Sequence, residues 1–414
     1  MRNLVHDTAY RRLRRTVLDA THRLDDALAR LRGGPRRILF EAASPLSVAV
    51  FRPVYQRLRR DPRLTFFLTS SDDRWDGRTI AAQSGMRAEV IAPRDARWTK
   101  FDLYLNTDFW NMTWLPRRTH RLHLFHGVAG KYDLDAPTRL APTVATFDRL
   151  LFPNRDRLCR YVAAGLVDPA SPTAALVGYP KVDALVDGSL DRAAIMSHLG
   201  LDPSRPTLLY APTWSPYSSL NRCGDHIIRT LAARDANVIV KLHDRSFDAA
   251  TRASGGVDWR AHLERLSRDC GIHVAVDADA SPYLCVADAL VTDHSSVAFE
   301  FMLLDRPIIT IASPGLVEHA RINPQKIALM RSAADTVEAV DQLPRALDAA
   351  GAEPWRRTEQ RRAVAAELFF DPGGASARAA AVVYDVLGLE QPAHLAAQPT
   401  ITTPLSPWKP ELLS

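Results

Sequence analysis

Apolar residues recur along this chain in two rhythms. Between residues 4 and 32 they fall at helical spacing, with Leu13, Val17, Leu24, Leu28 and Leu31 on one stripe and arginines around them; this predicts one amphipathic helix. Gly33-Gly34-Pro35 stops it. Beyond that stop come short apolar runs at 37–41, 64–69, 101–106, 121–125, 150–152 and 174–177, with helical or loop stretches between them. A second series follows at 207–211, 237–241, 272–275, 289–291 and 307–311. Short apolar strands alternating with helices predict parallel sheets covered on both faces. The polar stretch 187–205 separates the two series. The expected architecture is therefore α/β, with two doubly wound halves facing a cleft. Ligands in such folds lie beyond the carboxyl ends of the strands.

The length of 414 residues agrees with more than one core. With 46% hydrophobic and 24% charged residues the chain has the composition of a globular protein. No apolar run is long enough to predict a membrane-spanning helix, and the arginine-bearing start has no apolar h-region of a secretory signal. Cys159, Cys223, Cys270 and Cys285 show no metal-type spacing, so reduced thiols in a cytoplasmic protein are expected. The tail 391–414 carries Pro392, Pro399, Pro404, Pro407 and Pro410; it predicts an extended or mobile segment rather than a helix.

Charge changes one part of this picture. Residues 1–37 hold ten Arg and four Asp, which accounts for the whole net charge of +6. The remainder balances, which argues against a nucleic-acid-binding face. For the N-terminal helix two readings stay open: packing on its own domain, or lying on the anionic inner surface of the cytoplasmic membrane.

Candidate chemistry gathers at strand ends. In Thr292-Asp293-His294-Ser295-Ser296 an apolar run gives way to small polar residues where a helix starts. Ser295 and Ser296 there suit a phosphate, or are ordinary caps; Asp293 caps or orients a neighbour. His126 follows the 121–125 strand and is backed by Gly127. It suits a general base acting on a hydroxyl, or is a turn histidine. Gly127 and Gly130 allow close backbone approach, and Lys131 adds a positive charge. His120 and His123 are discounted, because alternation turns His123 into the sheet packing. Lys241, His243 and Arg245 alternate, so they share a face if the strand persists; three cations there fit a diphosphate. Thr213 can donate to a phosphate, and Trp214 either packs on a ring or fills the domain edge. No metal cluster, P-loop, nucleophile elbow or G-x-G-x-x-G turn is present. Displacement at phosphorus or at a sugar carbon, driven by fixed charges and one base, is the chemistry these residues suggest.

Taken in order, seven segments resemble the CDP-glycerol glycerophosphotransferase family of teichoic-acid and capsule synthesis. They are Phe125-His126-Gly127, Gly178-Tyr179-Pro180-Lys181-Val182-Asp183, Leu209-Tyr210-Ala211-Pro212-Thr213-Trp214, Val240-Lys241-Leu242-His243, Ala287 through Ser296, Asp305-Arg306-Pro307-Ile308-Ile309 and Phe370 through Arg378. The resemblance spans about residues 120–390. It implies a GT-B fold, with the acceptor bound by the first half, the donor mainly by the second, and a C-terminal helix crossing back. Joined to the pattern above, the expected parts are a basic amphipathic helix (1–34), an acceptor domain (35–188), a donor-nucleotide domain (189–374), the crossover helix (375–390) and the Pro-rich tail (391–414). It implies that His126 activates an acceptor hydroxyl, that His243 contacts the donor phosphates, and that Ser295 and Ser296 hold them, with no cofactor or metal. The donor would be CDP-glycerol or a similar CDP-polyol, the acceptor an envelope polymer or lipid-linked hydroxyl compound, and the leaving group CMP. Three departures leave donor and acceptor identity open: Asp244 for Pro, His294 for Tyr, and Val128-Ala129-Gly130-Lys131 for Thr-Pro-Leu-Lys. The competing readings are a GT-B-like nucleotide-sugar glycosyltransferase or UDP-GlcNAc 2-epimerase relative, and a non-catalytic nucleotide-binding partner.

Overall fold

A computed structural model describes residues 2–31, 33–70, 72, 75–109, 115, 118–130, 137–250, 252–320 and 322–395. Two parallel sheets organise them. The first holds seven strands in the order β3-β2-β1-β4-β5-β6-β7: β1 Arg36–Ala42, β2 Leu64–Ser70, β3 Glu89–Val90, β4 Leu103–Asn106, β5 His120–Leu124, β6 Arg149–Phe152 and β7 Ala174–Leu176. The second holds six in the order β10-β9-β8-β11-β12-β13: β8 Thr207–Tyr210, β9 Asn237–Lys241, β10 His273–Ala275, β11 Ala289–Thr292, β12 Ile308–Ile311 and β13 Asp335–Val337. Strands β4, β8, β11 and β12 are buried along their whole length, which is why each reads as an unbroken apolar run rather than as an alternation. The edge strands β3 and β13 have two and three residues, too few to leave a periodic signal.

Strand order reverses between β1 and β4 in the first sheet and between β8 and β11 in the second. Crevices open at such reversals, beyond the carboxyl ends. Ile38 in β1 pairs with both Phe66 and Leu103, so the first reversal is bonded on both sides. Beneath it, Phe40 of β1 and Phe51 of helix α2 (Pro45–Leu58) pack ring to ring at 4.8 Å, and Tyr55 meets Phe66 edge-on at 5.1 Å.

The lobes are fastened where residues 178–183 meet residues 370–376. Gly178 has φ +89°, and a Cβ there would sit 2.6 Å from the Phe370 carbonyl, so both backbone sign and space demand glycine. Five residues on, Asp183 accepts backbone N–H groups of Gly373 (3.1 Å), Ala375 (3.1 Å) and Ser376 (2.7 Å). It thereby fills the N-terminal donors of the last long helix, Ala375–Leu387. That helix returns to the first lobe, where Tyr384 Oη donates to Asp61 (3.0 Å) and Arg57 Nε donates to Ser376 Oγ (3.0 Å). Buried Lys181 and Glu300 form an ion pair across the lobes.

Helix α1 (Arg2–Leu31) lies on the first lobe with inverted polarity. His22 Nε2 is 2.7 Å from the Arg97 carbonyl, Asp25 pairs with Arg37 and accepts Lys100 N–H (3.0 Å), and Asp26 pairs with Lys100 at 3.4 Å. The apolar stripe points away: Leu13, Val17, Leu24, Leu28 and Leu31 are all exposed, from 44% to 83%. At the other end, a short turn Ala393–Leu395 buries Leu395. The expected loose tail is therefore corrected for 391–395, because Leu395 gains a core contact; residues 396–414 lie outside the described residues.

Candidate active site

The first lobe contributes an oriented imidazole. His126 emerges just after β5, and Gly127 has φ +75°, a left-handed conformation that disfavours any side chain. Nδ1 of His126 lies 2.7 Å from the Thr107 carbonyl and 3.4 Å from an oxygen of Asp108. A proton on Nδ1 directed at that carbonyl leaves Nε2 as the basic nitrogen. The side chain is half exposed, so substrate can reach it. Asp108 is itself held by the hydroxyls of Ser47 (3.3 Å) and Thr107 (3.2 Å). Asn106 supports the same loop: its Nδ2 donates to the Asp108 carbonyl, and its Oδ1 accepts from His123 Nδ1 at 2.9 Å. Burial drives the His123 pKa well below the usual histidine range, and its ring stacks on Phe109 at 3.8 Å. His123 is thus a neutral strut in the packing, as alternation predicts.

The second lobe contributes three loops from one edge, because β9, β8 and β11 lie side by side and parallel. After β11, Ser295 and Ser296 are half-buried. Ser296 occupies the cap position of helix Val297–Met302 but makes no side-chain cap bond. No intramolecular hydrogen bond engages either hydroxyl among the described residues, so the plain capping account fails for this pair. After β8, Trp214 contacts two side chains of the β9 loop: the Arg245 guanidinium lies 4.7 Å from its ring and the His243 ring 5.6 Å away.

Three expected ligands are placed differently. Lys241 does not share a face with His243 and Arg245, because β9 ends at Lys241 and residues Asp244–Phe247 form a 3₁₀ turn. His243 begins that turn, its Nδ1 accepting Arg245 N–H at 3.2 Å. Lys241 points inward, is 8% exposed and donates to the Leu242 carbonyl at 2.7 Å; burial lowers its pKa. Asp293 is fully buried, and its oxygens accept Thr213 N–H (2.8 Å), Ser219 N–H and Oγ–H (2.9 Å each) and His294 N–H (2.6 Å). No face of that carboxylate is left for substrate, so it clamps the β8 and β11 loops together. Thr213, 2% exposed, belongs to the same floor. Lys131 lies outside the described residues.

Residues 179–181 bring the two halves together. The Tyr179 hydroxyl faces the Gly127 backbone N–H, whose dipole counters the effect of burial on the phenol, next to His126. Lys181, two residues later, pairs with Glu300, four residues after Ser296. Burial pushes the Tyr179 phenol up, and the Glu300 carboxylate adds to this. Burial also raises the Glu300 pKa, against the pull of Lys181. The His126 loop and the Ser295-Ser296 helix therefore flank one short segment. Sequence reasoning missed Thr107 and Asp108, and singled out the Tyr179 segment without giving Tyr179 a role. The first two carried a legible signal, a polar Asn-Thr-Asp run at the carboxyl end of β4, beside the reversal point.

Two parallel doubly wound lobes with polar loops meeting at a hinge define the GT-B-like class of transferase folds. Residues 106–376 match the family described as CDP-glycerol:poly(glycerophosphate) glycerophosphotransferase; the chain belongs to that family. A stretch of 134 residues is 28% identical to a teichoic acid poly(glycerol phosphate) polymerase of Staphylococcus epidermidis, covering 32% of this chain and 18% of that relative. The matched stretch thus spans about a fifth of that curated relative's length. Among solved structures, the wall teichoic acid polymerase TagF superposes with a TM-score of 0.64 at 16% identity, over 94% of this chain and 97% of its own. A UDP-GlcNAc 2-epimerase from Neisseria meningitidis bound to UDP-GlcNAc gives 0.53 at 11% identity, over 85% and 99%. At these identities the two structures share the fold.

Proposed function

We propose that this protein transfers glycerol phosphate, or a related polyol phosphate, from a CDP-linked donor to a hydroxyl of a poly(glycerol phosphate) or lipid-linked envelope acceptor. Family membership supports the reaction class. The carrying observation is the His126 imidazole, fixed through Nδ1 by the Thr107 carbonyl, beside a lobe that offers the uncommitted hydroxyls of Ser295 and Ser296. In the reaction, Nε2 of His126 takes the proton of the acceptor hydroxyl as its oxygen bonds to the distal phosphorus. The bond from that phosphorus to the bridging oxygen breaks, and CMP leaves with the electron pair. Arg245, His243, Ser295 and Ser296 balance the charge that develops on the phosphoryl oxygens. Trp214 supports Arg245 from beneath.

The test contrasts two variants by measuring CMP release and donor binding separately. His126→Ala is expected to lower turnover at least about 100-fold with donor affinity kept. Ser295→Ala with Ser296→Ala is expected to weaken donor binding about tenfold, roughly one charge-assisted hydrogen bond, without lowering the melting temperature. Unchanged turnover in the first, or unchanged donor affinity in the second, contradicts the assignment.

The same reading places the enzyme at the inner face of the membrane. No described helix is long and apolar enough to cross one. Helix α1 instead directs its leucines outward beside exposed Arg15 and Arg23, while Asp25 and Asp26 are consumed by ion pairs with the lobe, the polarity of a helix lying on an anionic bilayer. Val17→Asp with Leu24→Asp is expected to abolish sedimentation with phosphatidylglycerol vesicles and to leave transfer to a soluble acceptor intact. Equal sedimentation of variant and wild type would refute this placement.

A further inference from the structure

A hollow of about 600 Å³ lies on the first lobe, away from the site above, lined by Tyr55, Arg59, Arg60, Phe66, Arg87 and Glu89 among others. Arg59 and Arg60 follow the end of α2, Phe66 lies in the first half of β2, and Arg87 precedes β3. These are the starting ends of the strands, opposite the edge that carries His126. A second hollow of about 380 Å³ adjoins it at Arg60, lined also by Arg63 and Gln391 and by the acids Asp61 and Glu390; the groove is the first hollow.

The charges in this groove are unusual for the neighbourhood. Nearby Arg57 and Arg63 are engaged by Ser376 and Asp61. The side chains of Arg59, Arg60 and Arg87 are exposed and make no ion pair or hydrogen bond among the described residues. Glu89 is the single acid lining the larger hollow. The dipole of α2 favours cations at its C-terminal end, which accounts for Arg59 and Arg60. It does not account for Arg87, which comes from another element and faces the same hollow. The floor is closed by buried Tyr55, Leu64 and Phe66, and the Tyr55 hydroxyl accepts Arg87 N–H at 2.9 Å. Guanidinium forks without carboxylate partners match phosphate oxygens, and a concave groove admits a flexible strand where a flat surface cannot enter.

We propose that this groove binds the phosphodiester backbone of the poly(glycerol phosphate) acceptor, several repeats behind its reacting end. The proposal rests on the acceptor class assigned above: each transfer adds one anionic phosphodiester, so the acceptor is a polyanion. The seven residues of β1, at about 3.3 Å each, separate the groove from the catalytic edge by roughly 23 Å. Only acceptors long enough to span that distance use it.

The experiment compares wild type with Arg59→Gln/Arg60→Gln/Arg87→Gln and with Glu89→Gln. Binding and turnover are measured on length-defined soluble poly(glycerol phosphate), long and single-repeat, and binding on phosphatidylglycerol vesicles. The triple variant is expected to bind the long chain about tenfold more weakly, a loss equal to roughly one hydrogen bond to a charged group, with single-repeat turnover and melting temperature unchanged. Glu89→Gln is expected to tighten the long chain, so a folding defect in the triple variant leaves the proposal testable. Equal long-chain affinity in all three proteins overturns it. So does loss of vesicle binding with polymer binding kept, which would make the groove a lipid-headgroup site. If wild type transfers to neither acceptor, the transferase reading fails, while the binding measurements still decide the groove.

Discussion

His126 is held by a carbonyl and backed by a carboxylate, and the contribution of the second can be isolated. Asp108 lies 3.4 Å from Nδ1 and is itself fixed by two hydroxyls. Asp108→Asn is expected to lower kcat roughly tenfold, part of the total worth of a general base, with KM for the donor unchanged and partial recovery in Asp108→Glu. A parallel rise in KM, or no rescue by glutamate, would make Asp108 a fold residue only. His126, Ser295 and Ser296 stand out in the sequence as candidates because each lies just beyond an apolar run that gives way to polar residues. Lys241 was misread because alternation holds only while a strand continues, and here the strand stops at that residue. The burial of Asp293 and Thr213 could not be read locally, since it depends on β8 and β11 becoming neighbours.

Between elements, the Lys181–Glu300 pair is a costly contact to break. Both side chains are almost completely buried, and removing one partner strands a charge, at a cost of about 3–5 kcal/mol. Lys181→Met is therefore expected to lower unfolding free energy by that amount in denaturant titration. Lys181→Met with Glu300→Met should recover most of it, because an apolar pair needs no desolvation. A double variant as unstable as the single would show that the loss lies in packing. The partners are 119 residues apart, and no local pattern links them. The strands themselves were legible, as unbroken apolar runs; β3 and β13 were not, being too short for any period. The inward Asp25 and Asp26 of α1 were also hidden, because an amphipathic helix ordinarily buries its leucines.

At the scale of the molecule, two series of strands marked two lobes in the sequence. The return of the last helix to the first lobe was implied by family resemblance, not by periodicity. One end of that return is pH-sensitive. The Asp61 carboxyl is held down to about 2, from an ordinary 3.8, chiefly by hydrogen bonding from Arg63, with Tyr384 contributing. A depressed carboxyl stabilises the fold fully above its unfolded pKa and loses that contribution as pH falls from about 4 toward 2. Asp61→Asn is thus expected to be less stable than wild type at pH 7, with the gap closing as pH drops through that window. A gap that is constant with pH would remove the carboxylate from the account.

The path of the backbone has a consequence for biogenesis. Helix Ala375–Leu387 packs on α2, so the first lobe is built from segments on both sides of the second, and the second lobe is in effect an insertion. During synthesis the ribosome must deliver the whole inserted lobe before the enclosing one can close. The nascent first lobe therefore keeps its α2 face uncovered until the last helix has been made.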